Sequence, residues 1–378
     1  MQPGSGKYNS RRAARHFVTL RVGSERRIRG KEPPVSRYLV VGGAGFIGVN
    51  AAEHYARAGH SVTVLDNFSR CGAEENVKWL LGQHPSARVV RADIRSDREI
   101  LAAEAAQCDV LLHMAAQVAV TTSVCDPRAD FEINALGSFN VLDAARRALR
   151  PPIVLYASTN KVYGGMEGAR IVEKNGRYAY ETLPFGVSES QPLDFHSPYG
   201  CSKGCADQYA RDFARIYGLR TVVFRQSCIY GPHQFGIEDQ GWVAWFALRS
   251  LLEQPLVIYG DGKQVRDVLY VDDLLVAFDA AIARIDRASG QIYNIGGGPA
   301  NILSLRDLVA LLEKMNGAKM NISFGEWRPG DQRVYVSDIR RAADELGWAP
   351  ATSPESGVRK MREWMLQNKN LILQMYRG

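Results

Sequence analysis

Tyr199 and Lys203 lie four residues apart, a spacing that sets both on one face of a helix, one turn from each other. A lysine ammonium so placed favours phenolate over phenol, whose unperturbed pKa is about 10. The tyrosine thereby becomes a candidate general base near neutral pH. Thr159, upstream of the pair, offers a hydroxyl as hydrogen-bond donor. All three follow a glycine-rich stretch, Gly42-Gly43-Ala44-Gly45-Phe46-Ile47-Gly48. A tyrosine and a lysine at this spacing are common by chance. Behind a dinucleotide-type turn they read as hydride-transfer chemistry.

The elements that must position these groups are legible around them. Tyr38 to Val41 is a short apolar strand, residues 46–58 form a helix, and Ser61 to Leu65 is a second strand ending at Asp66, which together make a βαβ unit. Gly42, Gly45 and Gly48 run G-x-x-G-x-x-G, one residue longer in the first interval than the usual dinucleotide fingerprint. The physical need is the same: a tight turn, close approach of backbone to pyrophosphate, and close packing of helix on strand. The helix N-terminus then faces the phosphates. Asp66, at the end of the second strand, can bind both ribose hydroxyls and repels a 2′-phosphate, which favours NAD over NADP. Arg70 nearby softens that preference.

Strands at 88–91, 110–113, 153–156 and 221–224 alternate with helices at 97–106, 128–149 and 198–217. Nearly all-apolar strands in such alternation predict an α/β fold with a parallel, doubly wound sheet of Rossmann type. After Gln226 the pattern becomes irregular. Helices at 242–252, 272–283, 304–315, 338–346 and 354–368 and a strand at 292–295 read mostly as a smaller α/β substrate-binding domain over the carboxyl ends of the strands. The expected boundaries are 38–225 for the NAD-binding domain, with 268–295 returning to it, and 226–267 with 296–378 for the substrate domain.

The chain of 378 residues has a net charge of +7, with 46% hydrophobic and 23% charged residues. Residues 1–37 hold ten Lys or Arg against two acids and so carry +8, leaving the rest at −1. The body therefore lacks a general attraction to phosphate backbones, and no nucleic-acid partner is expected for it. Residues 1–37 read as a disordered basic leader, with a transit peptide, a start assigned too early or an RNA-binding arm as other readings. No apolar run is long enough to span a bilayer, so no membrane association is expected. Six cysteines show neither C-x-x-C nor a metal-type pairing with histidine, so no metal is expected and the thiols read as those of a reducing compartment.

Nine segments fall in the order seen in extended short-chain dehydrogenases that act on nucleotide sugars. They are Gly42–Gly48, Asp66-Asn67, Ala92-Asp93-Ile94, His113 to Ala116, Ser158-Thr159, Tyr163-Gly164, Tyr199 to Lys203, Tyr230 to Pro232, and Gly260 to Asp267. The chain resembles that family from residue 38 onward; Val41, where many members carry threonine, is a departure. The resemblance implies that NAD is held by Gly42, Gly45, Phe46, Ile47, Gly48, Asp66 and Asn67, with Asp93 and Ile94 against adenine, Ala115 and Ala116 along the cofactor, and Lys203 on the nicotinamide ribose. It implies Thr159, Tyr199 and Lys203 as catalytic residues. Arg266, with Arg328 or Arg333, would hold the diphosphate of a nucleotide-sugar substrate, since a guanidinium fork grips phosphate oxygens in pairs. Gln240 and Trp242 are further expected substrate contacts. His196 reads as a cap of the catalytic helix or a second proton carrier.

The dehydratases of this family carry Asp-Glu directly after the threonine, because eliminating water needs an extra acid and base. Here the residues are Asn160 and Lys161, which disfavours dehydration and leaves epimerisation. The stretches Ser158–Gly164, Leu193–Lys203, Asp239–Val243, Gly262–Val268 and Asp331–Val334 resemble the branch that inverts carbon 2 of CDP-hexoses of the paratose and tyvelose type. That resemblance implies a cytoplasmic enzyme of carbohydrate biosynthesis, of the lipopolysaccharide O-antigen kind. The helices at 128–149 and 198–217 resemble the pair through which the family forms homodimers. A 4-epimerase or an NDP-sugar reductase on the same scaffold remains an alternative, and a catalytically silent cofactor sensor is a third class, against which the intact Thr159, Tyr199 and Lys203 argue.

Overall fold

The computed structural model describes Met1, residues 35–328 and residues 331–376. The leader expected over 1–37 lies outside the described residues, apart from Met1 and its last three positions. Residues from Val35 onward pack as one compact unit.

The chain order begins β1 Arg37–Val41, α1 Phe46–Arg57, β2 Ser61–Asp66, α2 Ala73–Gln83, β3 Arg88–Arg91, α3 Arg98–Ala105, β4 Val110–His113, α4 Val120–Cys125 and α5 Pro127–Phe131. A π-helical segment, Glu132–Gly137, leads into α6 Ser138–Arg147, then β5 Ile153–Thr159 and a 3₁₀ turn at Asn160–Tyr163. There follow β6 Ile171–Lys174, β7 Arg177–Tyr180, α7 Ser197–Tyr217, β8 Thr221–Gln226 and β9 Cys228–Tyr230. The remainder is α8 Trp242–Leu251, β10 Leu256–Tyr259, β11 Val265–Tyr270, α9 Val271–Ala283, α10 Ile285–Ala288, β12 Gln291–Ile295, β13 Ile302–Ser304, α11 Leu305–Asn316, β14 Ile322–Gly325, β15 Val334–Tyr335, α12 Arg340–Leu346, α13 Pro354–Gln367 and α14 Lys369–Met375.

Seven strands form one parallel sheet in the order β12-β8-β5-β4-β1-β2-β3. The apolar runs of the inner strands β1, β4, β5 and β8 are buried on both faces, as a sheet covered by helices on each side requires. One core layer joins Val40, Val64, Leu112, Leu155 and Phe224 to α1 and α9; the other joins Leu39, Leu111, Val154 and Val223 to α3, α6 and α7. Strand β12 lies at the edge of the sheet beside β8. The later segments build a small second sheet, β13-β11-β15 with β9, and a separate pair, β10 with β14. Sequence patterning missed α2, α4, the β6–β7 hairpin, α10, α14 and every strand after β8 except β12.

The helix expected over 128–149 is interrupted. Its π segment turns Asn134 towards the loop after β4, where Asn134 Oδ1 accepts from Gln117 N at 2.9 Å and Asn134 Nδ2 donates to Gln117 O at 3.0 Å. One extra residue per turn re-aims a side chain in this way and is frequent near functional sites.

Under the carboxyl end of β5 lies a buried ion pair. Arg225 grips Asp207 through two bonds of 2.9 Å, with side chains 2% and 0% exposed. Ser158 donates to the same carboxylate at 2.7 Å, and Arg225 reaches the Tyr163 hydroxyl at 3.1 Å. The pair clamps α7 to β8 and β5. Removing one member leaves the other charge buried without a partner, which costs about 3–5 kcal/mol. Asp207→Ala is therefore expected to lose stability of that size in urea unfolding; a change below about 1 kcal/mol would show that the pair does not hold these elements.

Candidate active site

At the carboxyl ends of β1, β2 and β4 the turn after β1 opens into a cleft of about 370 Å³. Its lining includes Gly42, Gly45, Phe46, Ile47, Gly48, Asp66, Asn67, Asp93, Ile94, Ala115 and Ala116, so the structure brings together every residue expected at the cofactor except Lys203. Two of the glycines are demanded by the fold. At Gly42, with φ +79°, a Cβ would stand 2.3 Å from Ala115 N; at Gly48 it would stand 2.2 Å from Gly42 O. Gly45 differs: a Cβ there would meet only Gly42 O, at 3.4 Å. Its missing side chain leaves room on the cleft side, at the residue preceding α1. Asp66 is buried at the other wall, accepting from Ala44 N at 3.0 Å and Phe68 N at 2.8 Å. Burial raises its carboxyl pKa against the pull of those amides. Asp93 is held well below the usual carboxylate range by the Arg95 guanidinium, and Asn67 donates to it at 2.9 Å. A turn open at Gly45, a helix N-terminus above it and an acid at the end of β2 together fit a dinucleotide.

Thr159 ends β5, and Tyr199 and Lys203 sit in the first turns of α7; all three are buried. The Tyr199 backbone N–H donates to Ser123 Oγ at 3.2 Å, which fixes the start of α7 against α4. Thr159 stands beside the Tyr199 side chain and favours its phenolate. Burial outweighs this and pushes the phenol up to about 12, with Asp130 adding to the rise. The expected lowering of Tyr199 by Lys203 does not appear. Lys203 Nζ donates instead to Ala157 O at 2.6 Å and lies 4.4 Å from the centre of the Tyr156 ring. Burial pushes the ammonium down to about 7, against the pull of Asp207 and Asp130. Shared helical spacing brought the pair to one face, but the long lysine side chain runs to the strand carbonyl, and in a dry site each charge is penalised separately.

The residues expected at the substrate each engage different partners. Arg266 donates to Asp331 at 2.9 Å rather than to Asp261 or Asp267. Arg328 pairs with Asp239 at 2.9 Å and stacks 3.9 Å over the Tyr259 ring, while Arg333 lies near the rings of Tyr178 and Trp327. Trp242 donates its indole N–H to Cys228 Sγ at 3.4 Å. Gln240, expected at the substrate, instead lines the dinucleotide cleft, where Arg70 donates to it. Its loop crosses from the second sheet to the β2–α2 connection, a path that local sequence does not reveal. His196 is exposed and its side chain caps nothing; Ser197 Oγ accepts from Gly200 N at 3.3 Å instead.

Sequence reasoning missed Asp207, Asp130 and Gln332. Asp207 stands four residues after Lys203, so helical spacing alone could have found it. Asp130 reaches Ser202 through the interrupted helix, and Gln332 reaches Lys161 across 171 residues; neither carries a local signal.

With this geometry in hand, comparison with known proteins is direct. The profile of the NAD dependent epimerase/dehydratase family matches residues 38–296. The chain belongs to that family. It is 43% identical over 336 residues to a CDP-paratose 2-epimerase of Salmonella typhi, covering 87% of this chain and 98% of that one. Among solved structures it is similar to a UDP-glucose 4-epimerase of Thermotoga maritima with UDP-glucose (TM-score 0.76, 30% identity, 88% and 99% covered). It is also similar to a dTDP-glucose 4,6-dehydratase of Streptomyces venezuelae with NAD bound (TM-score 0.77, 29% identity, 90% and 99% covered). The chain is thus an NAD-dependent enzyme of this family, with the Rossmann-type sheet expected of it.

The glycines give a discriminating test. Gly45→Ala is expected to keep folding stability within about 1 kcal/mol, since alanine replaces glycine only at a helix N-cap, while the NAD content of the purified protein falls. Gly48→Ala is expected to lower stability and cofactor content together, because the added carbon meets backbone. Equal NAD content in wild type and Gly45→Ala, by release and absorbance, would remove Gly45 from the cofactor site.

Proposed function

We propose that this enzyme inverts carbon 2 of a CDP-hexose of the paratose and tyvelose type. The observation that carries the reading is the group at the end of β5: Thr159 beside Tyr199, followed by Asn160 and Lys161 in place of an acid pair. The Thr159 hydroxyl faces the Asn160 amide oxygen at 3.4 Å, and among the described residues no carboxylate hydrogen-bonds it. Elimination of water has no acid–base pair to use there, whereas epimerisation needs one base and one hydroxyl. The similarity to the Salmonella typhi enzyme supports carbon 2 and the cytidine nucleotide.

In this reading residues 38–225 with 268–295 hold the cofactor, and 226–267 with 296–378 hold the substrate. Gly42, Gly45 and the start of α1 receive the pyrophosphate, Asp66 and Asn67 the adenosine ribose, Asp93 and Ile94 the adenine, and Ala115, Ala116 and Lys203 the rest. NAD, when bound, supplies a reversible hydride acceptor. Tyr199 takes the proton from the hydroxyl on carbon 2 and later returns it to the same oxygen. Thr159 donates to that oxygen as its charge develops, a preformed bond worth most in a water-poor site. The 2-keto sugar turns between the two proton transfers, so the configuration changes while Tyr199 keeps its place. Asp207 and Asp130 favour the charged form of Lys203 and hold α7 in position. Arg266, with Arg328 or Arg333, takes the diphosphate, and Trp242 bounds the site.

The enzyme is assigned to the cytoplasm, to carbohydrate biosynthesis of the O-antigen kind, and to a homodimer formed through α5, α6 and α7. Phe131, Tyr209 and Tyr217, 56%, 43% and 55% exposed on these helices, support that interface. No helix among the described residues is long and apolar enough to cross a membrane.

Incubation with CDP-paratose, CDP-glucose and UDP-glucose in deuterium oxide, with no cofactor added, tests the reaction. NMR is expected to show inversion at carbon 2 of a CDP-hexose without deuterium uptake. Inversion at carbon 4 or net reduction would replace this reading by the alternatives. Tyr199→Phe is expected to lower turnover by about 10²-fold or more while the protein retains its NAD; near-normal turnover would remove Tyr199 from the reaction.

A further inference from the structure

Lys161 occupies a second polar cluster that the mechanism above does not use. Thr159 and Gln226 are register partners on β5 and β8, so the segments carrying Lys161 and Cys228 leave the sheet together. The Lys161 backbone N–H donates to Thr159 Oγ1 at 3.2 Å, tying its position to the reacting centre. Its half-buried side chain crosses to the segment before β15, where Nζ donates to Gln332 Oε1 at 3.0 Å. Gln332 is 5% exposed and its amide NH₂ donates to Gly164 O, so its oxygen can only face the lysine. The lysine is thus held by a neutral acceptor pinned from behind.

The charge around it does not balance. Arg266 is near enough to disfavour the ammonium, while Asp331 favours it. Asp331 is already engaged by Arg266 at 2.9 Å. Two cations thus face one carboxylate, and among the described residues Lys161 has one hydrogen-bond partner for three donor positions. A desolvated cation without a counter-charge is costly, and such an excess marks a place where an anionic ligand supplies it.

We propose that Lys161 is a phosphate ligand: with Arg266 it holds the sugar-linked phosphate of the nucleotide sugar, and through its backbone bond to Thr159 it sets that phosphate relative to the reacting carbon. The proposal rests on the nucleotide-sugar reading above and adds a residue and a contact to it. The sugar-linked phosphate, and not the nucleoside-linked one, is assigned to Lys161 because its backbone is anchored to Thr159, beside the proposed reacting centre.

Titration calorimetry of the cofactor-loaded enzyme with CDP and CMP tests this, since only CDP carries that phosphate. Lys161→Met is expected to weaken CDP at least tenfold and CMP less than threefold, and Lys161→Arg to bind CDP within threefold of wild type. Burial and Arg266 push the Lys161 ammonium down to about 8. Wild-type affinity for CDP is therefore expected to fall as pH rises through that value, while the Lys161→Arg protein stays flat. Cys228, the other titrating group facing Lys161, is raised by burial and remains a thiol there. Unchanged CDP affinity in Lys161→Met, or equal weakening of CDP and CMP, would overturn the proposal. Should Lys161→Met lose its cofactor, the pH series decides: a wild-type profile flat through pH 8 overturns it. If wild type binds UDP and not CDP, the base proposed above is wrong, and the same contrast is read with UDP and UMP.

Discussion

The meeting of three backbone segments without side chains between them governs this site. Gly42 lies against the chain after β4, and Gly48 lies against Gly42, at distances where a single carbon would force them apart. That contact sets the start of α1 at the end of β1 and so aims its N-terminal amides across the cleft. Asp66 repeats the constraint from the side: by accepting from Ala44 N it ties the end of β2 to the same turn. The remaining parts of the site inherit their positions from the sheet that these contacts terminate.

Burial of charge is the second theme. Lys203, Asp207, Arg225, Asp130 and Tyr199 all lie within or beside α7, away from water. The Asp207–Arg225 pair is complete in its hydrogen bonds, as buried ions must be. Tyr199 and Lys203 are not paired with each other, and burial pushes the phenol up and the ammonium down. The site therefore holds the Tyr199 phenol away from its ordinary range, and Thr159 opposes that shift. Lys161 shows the same physics on the substrate side, where a desolvated amine beside Arg266 lacks a counter-charge. The proton transfer proposed for Tyr199 and the phosphate contact proposed for Lys161 thus draw on the same dry environment.

Much of this was readable along the chain. The apolar strands β1, β2, β4, β5 and β8 and the helices between them follow from hydrophobic pattern, because a sheet covered on both faces needs continuous apolar runs. The glycine triad, Asp66 and the four-residue spacing of Tyr199 and Lys203 are local features, and the structure places each in the cleft or the helix expected. The π segment in the helix before β5 was not readable, since its cause is a hydrogen bond from Asn134 to a loop elsewhere. The weak strands β6, β7, β9, β13 and β15 depend on partners distant in sequence.

Sequence by itself determined the parallel sheet, the dinucleotide turn and the shared helix face of Tyr199 and Lys203, because each rests on periodicity or spacing within a short segment. Tertiary structure decided which way the long side chains run. Lys203 turns to Ala157 and not to Tyr199, Gln240 joins Arg70 at the cofactor cleft, Arg266 takes Asp331, and Lys161 reaches Gln332. These choices follow from the polar groups that folding brings near and from the cost of leaving a buried donor or charge without a partner.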